Sequence, residues 1–338
     1  MRVLVVGGTR FMGYHLAWRL LAAGHAVTLL NRGNHPDPFG DRVERLRADR
    51  TTPELARVLA GRSFDAAVDF TAFRRADAAS AMAALDGRAG HYVMISTGQV
   101  YLVKDGVIGG PARTFREEDY DGPLMPEPPA GDRDRGDWDY GVGKRGAEDA
   151  LAEAWEAHRF PSTRIRIPIV NGERDHTRRL EGYVRRVLDG GPVLLPDGGD
   201  ARVRQVYAGA VASTIAGLLG REAAFGRAFN LCQDETPTLA ELVSLIAEIA
   251  GAEARLADVP AAEMARAGLD PVAASPFSTR WKSFLDPSLA QAELGFRHPP
   301  LREYLQRTVG WMLAEWRADA PAGYAQRAAE LALARGRS

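Results

Sequence analysis

The chain has 338 residues, 46% of them apolar, with 43 Lys and Arg against 44 Asp and Glu for a formal net charge of -1. That length buries a large core, in two domains or in one large domain with a smaller companion, and near-neutrality excludes an overall basic field for nucleic acid or an anionic membrane surface. The single cysteine, Cys232, excludes an internal disulfide, no Cys/His cluster has zinc-ligand spacing, and no apolar run suits a signal peptide or a bilayer span; a cytoplasmic protein without metal or membrane partner is expected.

RVLVV at 2–6 is a short continuous apolar run ending in glycines, the pattern of a parallel strand buried on both faces. Residues 11–23 then carry apolar side chains at helical spacing and stop at Gly24. AVTLLNR at 26–32 reads as a second strand, 42–59 as a weaker strand and a helix, 64–70 as a strand, 76–85 as a helix and 91–96 as a strand. This alternation predicts right-handed crossovers and an α/β fold, a Rossmann-type doubly wound parallel sheet with its ligand at the strand C-terminal ends.

Between 101 and 139 the pattern dissolves into Pro, Gly and charge, which predicts a long loop, either a lid or disordered. Beyond it, 139–158 reads as a helix and TRIRIPIV at 163–170 as a strand, followed by helices near 178–188, 209–219, 238–250 and 299–316. The expected domains are a dinucleotide-binding domain over 1–170, rejoined by segments near 203–220, then a mixed α/β substrate region over 171–202 and 226–317. A helical tail over 318–338 completes the chain.

GGTRFMG, residues 7–13, follows a predicted strand and opens a predicted helix. Gly7 permits the tight turn, Gly8 lets backbone approach a pyrophosphate, and Gly13 brings the helix close to the sheet; Thr9, Arg10, Phe11 and Met12 complete the turn, and the helix N-terminus faces the phosphates. A carboxylate for the adenosine ribose of NAD belongs at the end of the second strand, where Asn31 and Arg32 stand instead. Arg32 offers a permanently charged fork to a ribose 2'-phosphate, and Arg10 can close on it from the neighbouring turn. NADP is therefore the expected cofactor, with NAD as the alternative.

YGVGK at 140–144 places Tyr140 and Lys144 four residues apart on one helix face. An ammonium beside a phenol favours the phenolate, which makes Tyr140 a proton donor or acceptor near neutrality. The pair follows a strand ending in STGQVY at 96–101.

With these motifs in order, and with RIPIVNGERD at 166–175, RQVYAGAVA at 204–212 and LDPSLAQAELGF at 285–296, the chain resembles the extended short-chain dehydrogenase/reductases, the epimerase/dehydratase group. The resemblance implies a catalytic set of Thr97, Tyr140 and Lys144: Tyr140 exchanges the substrate proton, Thr97 bonds the same oxygen, and Lys144 holds the nicotinamide ribose. It puts Asp49 at the adenine and makes Ser96, Gln99, Asn171 and Arg204 the candidate substrate contacts. Where family dehydratases carry an acidic pair, this chain has Gly98 and Gln99, which disfavours loss of water. Val203 stands at the position of a diphosphate-binding arginine and Asn171 at that of a common tyrosine, which argues against a nucleotide sugar.

The implied protein is a homodimeric epimerase or ketoreductase acting on a small sugar-like or polyhydroxylated molecule. The arginine-bearing turn also resembles an atypical branch that includes chloroplast stem-loop RNA-binding proteins. Two alternatives follow, an RNA-binding module and an NADP-binding regulator without turnover. The near-neutral charge opposes the first, and the retained Tyr/Lys pair opposes the second.

Overall fold

The computed structural model describes residues 1–105, 107 and 113–336. It opens with β1 (Arg2–Val6), α1 (Phe11–Ala22), β2 (Ala26–Asn31), β3 (Val43–Arg47), α2 (Glu54–Leu59), β4 (Ala66–Asp69), α3 (Arg75–Leu85), β5 (Tyr92–Thr97) and α4 (Gln99–Leu102). There follow β6 (Thr114–Phe115), α5 (Arg135–His158), β7 (Ser162–Ile167), β8 (Ile169–Asn171), α6 (Arg179–Leu188), β9 (Val193–Pro196), β10 (Gln205–Tyr207), α7 (Ala208–Leu218) and β11 (Arg227–Asn230). The remainder is α8 (Leu239–Ala250), β12 (Leu256–Val259), α9 (Ala261–Arg266), α10 (Pro271–Ala274), β13 (Phe284–Leu285), α11 (Ser288–Glu293), α12 (Leu301–Ala314) and α13 (Arg327–Arg335).

Two compact units share this chain. The first comprises Met1–Pro168, Ala208–Cys232 and Ser283–His298, and the second Ile169–Tyr207, Gln233–Lys282 and Pro299–Ser338. In the first, seven parallel strands lie in the order β11-β7-β5-β4-β1-β2-β3, the doubly wound arrangement expected. The order reverses between β1 and β4, and in such sheets ligands bind at the strand C-terminal ends beside that reversal. Val3, Leu4 and Val5 pair with Val27, Thr28 and Leu29 on one side and with Ala66, Ala67 and Val68 on the other. Helices cover both faces, so β1 is an apolar run with Val3 through Val6 all buried.

Two expectations are corrected here. The run 163–170 is two strands: Pro168 brings no N–H to a ladder, so β7 ends at Ile167 in the large sheet while β8 pairs with β10 in the second unit. The stretch 101–139 is also not one loop. It contains the end of α4, β6, a 3-10 turn at Glu117–Tyr120 and the first turn of α5, which begins at Arg135; residues 106 and 108–112 lie outside the described residues. Its charged residues make bonds to distant parts of the chain. Lys104 Nζ donates to Asp119 O at 2.7 Å, Asn230 N donates to Glu117 Oε1 at 2.7 Å, and the Tyr120 hydroxyl donates to Asp149 at 2.7 Å.

The segment 283–298 belongs to the first unit, where β13 pairs with β6. Within the second unit, β8 pairs with β10 and β9 with β12. Its C-terminal helix is tied down by buried charge: Arg186 meets Glu330 at 2.5 Å and Arg327 meets Asp189 at 2.6 Å. Removing one partner of such a pair strands the other in a low-dielectric interior, which costs far more than the intact pair contributes.

Candidate active site

The glycine turn is built by steric exclusion. Gly7 has φ +83°, and a Cβ there would lie 2.6 Å from Thr71 Cγ2. A Cβ on Gly8 would lie 2.6 Å from Val5 Cγ1, so this glycine serves the fit of the turn onto β1, a nearer demand than the phosphate approach expected of it. Gly13 lies against the turn itself, its notional Cβ 2.6 Å from Gly8 Cα. Phe11, the first residue of α1, holds φ +48°, a left-handed conformation that costs a non-glycine residue about 1–3 kcal/mol. No acidic side chain occupies the first turn of α1, so the positive end of its dipole is uncompensated.

A cavity of about 330 Å³ opens beside this turn, lined by Gly7, Thr9, Arg10, Asn31, Arg32 and Asp49 among others. Gly8, Phe11, Met12 and Gly13 support the turn without lining the cavity. Asn31 Oδ1 accepts the Gly33 N–H at 2.8 Å and a bond from Arg47 Nη1, which shapes the turn after β2, while its Nδ2 is buried with no partner. Arg50 also lines the cavity but is committed elsewhere, Nη1 donating to both oxygens of the buried Asp69 at 2.8 and 2.6 Å. The guanidinium groups of Arg10 and Arg32 have no hydrogen-bond partner among the described residues. Asp49 accepts the Thr51 hydroxyl at 2.7 Å and the Thr51 N–H at 2.9 Å; those bonds, with the nearby Arg32 charge, hold its carboxyl below the usual range.

The donors fit a nicotinamide dinucleotide: a turn whose glycines exclude side chains, a helix N-terminus, an orphaned amide N–H and two uncommitted guanidinium groups. Arg47, not singled out from the sequence, joins this corner through Asn31. Its only prior signal is its place at the end of the strand neighbouring β2.

At the end of β5, Thr97 is 8% exposed and its Oγ1 accepts the Gln99 N–H at 3.3 Å. Lys144 reaches the same strand from α5: its Nζ donates to Ile95 O at 2.7 Å and to Ala72 O at 2.8 Å, with the Phe73 ring centroid 4.6 Å away and that of Tyr140 6.0 Å away. Burial pushes the Lys144 ammonium down to about 8 against the pull of Asp69 and Glu148. Tyr140 is 38% exposed, its ring tilted against Phe73. The structure thus brings Thr97, Tyr140 and Lys144 to one strand end.

Two glycines inside α5 permit this approach. A Cβ on Gly141 would overlap Val103, and one on Gly143 would lie 2.7 Å from Phe73 O. A glycine inside a helix costs about 1 kcal/mol relative to alanine, here offset by close packing.

Ser96 is placed differently from the expectation. Successive strand residues face opposite sides, so Ser96 turns inward and donates to Glu148 Oε1, which is itself clamped by Arg166 at 2.6 Å. At 2% exposed it is an internal residue. Asn171 is fully buried in the second unit and its amide is used on Gln205. Arg204, also in the second unit, is held beside Asp234 O. Gln99 stays with Thr97, its Nε2 donating to Asp137 Oδ1 at 2.8 Å. Gly98 is obligatory for a reason invisible locally, because a Cβ there would overlap Ser283 Oγ, delivered by a distant segment.

No group of three potential ligands able to hold a metal ion occurs among the described residues, and none of their helices is long and apolar enough to cross a membrane.

Residues 3–232 match the epimerase family described as the NAD dependent epimerase/dehydratase family. The chain is 26% identical over 291 residues to a 2'-dehydrokanamycin reductase of Streptomyces kanamyceticus, covering 85% of this chain and 77% of that protein. It is 24% identical over 264 residues to a chloroplast stem-loop binding protein of 41 kDa from Arabidopsis thaliana, covering 74% and 63%. Among solved structures, a dTDP-glucose 4,6-dehydratase of Bacillus anthracis in complex with NAD superimposes with a TM-score of 0.73 at 16% identity, covering 94% of this chain and 97% of that one.

Proposed function

The chain belongs to the NAD dependent epimerase/dehydratase family, and from that premise we propose that it is an NADP-dependent oxidoreductase of the extended short-chain type, reducing or epimerising a sugar-like or polyhydroxylated substrate with Tyr140 as the acid/base. The carrying observation is the buried Lys144 ammonium 6.0 Å from the Tyr140 ring at the strand end that bears Thr97. When bound, the dinucleotide supplies or accepts the hydride.

The chain's own residues supply the rest. Tyr140 exchanges a proton with the substrate oxygen, and the Thr97 hydroxyl donates to the same atom. An ammonium has three donors, two of which Lys144 spends on Ala72 and Ile95; the third is left for a ribose hydroxyl, while the charge favours the phenolate. Arg10 and Arg32 receive the 2'-phosphate, and Asp49 meets the adenine. The likeness to a 2'-dehydrokanamycin reductase supports net carbonyl reduction over epimerisation. The likeness to a stem-loop binding protein supports the rival RNA-binding reading, which the net charge of -1 opposes.

The test is Tyr140→Phe, which keeps the ring and removes the exchangeable proton. NADPH binding by calorimetry is expected to survive, while turnover, followed by reduced-cofactor absorbance or by product stereochemistry in NMR, falls about 100-fold or more. Near wild-type turnover in this variant would sink the assignment.

A further inference from the structure

The reading above uses Thr97, Tyr140 and Lys144 but leaves a polar pair beside them without a task. Asp137 stands three residues before Tyr140 and seven before Lys144, so all three share one face of α5. Helical side chains lean toward the N-terminus, which carries the Tyr140 ring over the turn where Asp137 sits. Gln99, two residues after Thr97, reaches Asp137 with its Nε2 at 2.8 Å. The pair therefore joins the strand end to the helix at the reacting residues.

What the pair lacks is a donor. Asp137 is half-buried, and burial, with Asp134 nearby, raises its pKa although the Gln99 bond lowers it. The nearest base along the helix, Arg135, is taken by Glu127 at 2.5 Å and Asp139 at 3.3 Å. Gln99 Oε1 is buried with no partner. Since a carboxylate only accepts, the Gln99 amide must present its NH2 to it, and the orientation of the amide follows. Both unused atoms, the Gln99 oxygen and the second carboxylate oxygen, are acceptors. A hydroxyl has one hydrogen and no charge to offer a half-buried carboxylate, whereas an ammonium satisfies two acceptors and neutralises one.

We propose that Asp137 and Gln99 form a subsite for a protonated amine of the substrate, set beside the carbon on which Tyr140 and Thr97 act. The substrate class narrows to amino-sugar-like or aminocyclitol-like polyols. This inference rests on the oxidoreductase reading.

The test uses D-glucosamine and N-acetyl-D-glucosamine, which differ only at one nitrogen, an ammonium in the first and a bulkier neutral acetamide in the second, with NADP-saturated protein and ligand-observed NMR. The wild type is expected to bind glucosamine about tenfold more tightly than the N-acetyl sugar, roughly 1.4 kcal/mol. Asp137→Asn should bring that ratio to about one with NADP binding unchanged, and Gln99→Leu should lower it. Glu118→Gln, an exposed change in the same acidic stretch, should leave it intact and so separates a subsite from general attraction. No discrimination in the wild type, including no binding of either sugar, overturns the proposal, as does an undiminished ratio in Asp137→Asn. If NADP binds and Tyr140→Phe behaves as expected while these sugars are not distinguished, only the amine subsite fails. If neither NADP nor NAD binds, the oxidoreductase reading fails and takes the subsite with it.

Discussion

Replacing Lys144 by Met removes one charge at a known distance from Tyr140 while keeping a flexible side chain of similar length. At 6.0 Å from the ring centroid and an effective dielectric of about 20, a unit charge favours the phenolate by about 3 kcal/mol, roughly 100-fold in its population. The fold should tolerate the change because two costs oppose each other. The Ala72 and Ile95 carbonyls lose their donor, at about 1–3 kcal/mol each. Against this, holding an ammonium near 8 instead of its ordinary 10.5 costs the wild type about 3 kcal/mol at neutral pH, a cost methionine does not carry.

The pH dependence has a definite sign. Below about 8 the folded state carries a charge it disfavours, and between 8 and 10.5 it sheds that burden before the unfolded chain does. Wild type should therefore gain stability relative to Lys144→Met over this window while its turnover falls, because the ammonium that supports Tyr140 is being lost. Thermal melts give the first quantity and reduced-cofactor absorbance the second. Phenolate absorbance, taken as the difference from Tyr140→Phe, follows the tyrosine without any substrate. A Lys144→Met protein that melts normally and ionises Tyr140 at the wild-type pH would refute the electrostatic role of the lysine.

Other expectations follow from separate parts of the molecule. Arg32→Asp is expected to abolish or reverse a preference for NADPH over NADH, and calorimetry giving equal affinity for both cofactors in the wild type would remove the role of Arg10 and Arg32. His91 is buried and held neutral, with Nδ1 accepting the Gly220 N–H at 3.1 Å and Nε2 bonded to Thr163 Oγ1 at 2.8 Å, whose hydroxyl donates onward to Ala224 O. Burial lowers its pKa to about 4 from 6.5, so up to about 3 kcal/mol of stability is lost as pH falls from 6.5 to 4; denaturant melts should show a flatter acid limb in His91→Gln, and identical limbs count against the assignment. Gel-shift titration is expected to show no specific RNA retention at physiological salt, and salt-sensitive micromolar binding would favour the rival reading. Light scattering is expected to give a homodimer through α3, whose Ala76, Ala79 and Ala83 are exposed, and α5; a monomer at micromolar concentration counts against it.

The parallel sheet and the positions of Thr97, Tyr140 and Lys144, the set proposed to react, were legible in the residues alone, because both are written in local pattern. Strands buried on both faces must be apolar throughout, as RVLVV and AVTLL are. A turn that excludes side chains must be glycine, and two residues four apart on a helix must share a face. What depends on distant segments meeting was settled by the packed fold. Arg116 finds Asp286 across 170 residues, and Ser283 in that neighbourhood is what forbids a side chain at Gly98. Ser96 and Thr97 are neighbours of nearly equal chemistry until the strand turns one toward Glu148. Asp137 looked like one acid in an acidic loop until the helix began four residues early and carried it to Gln99. Periodicity records which way a side chain faces relative to its own element, and it holds no record of which other element will be standing there.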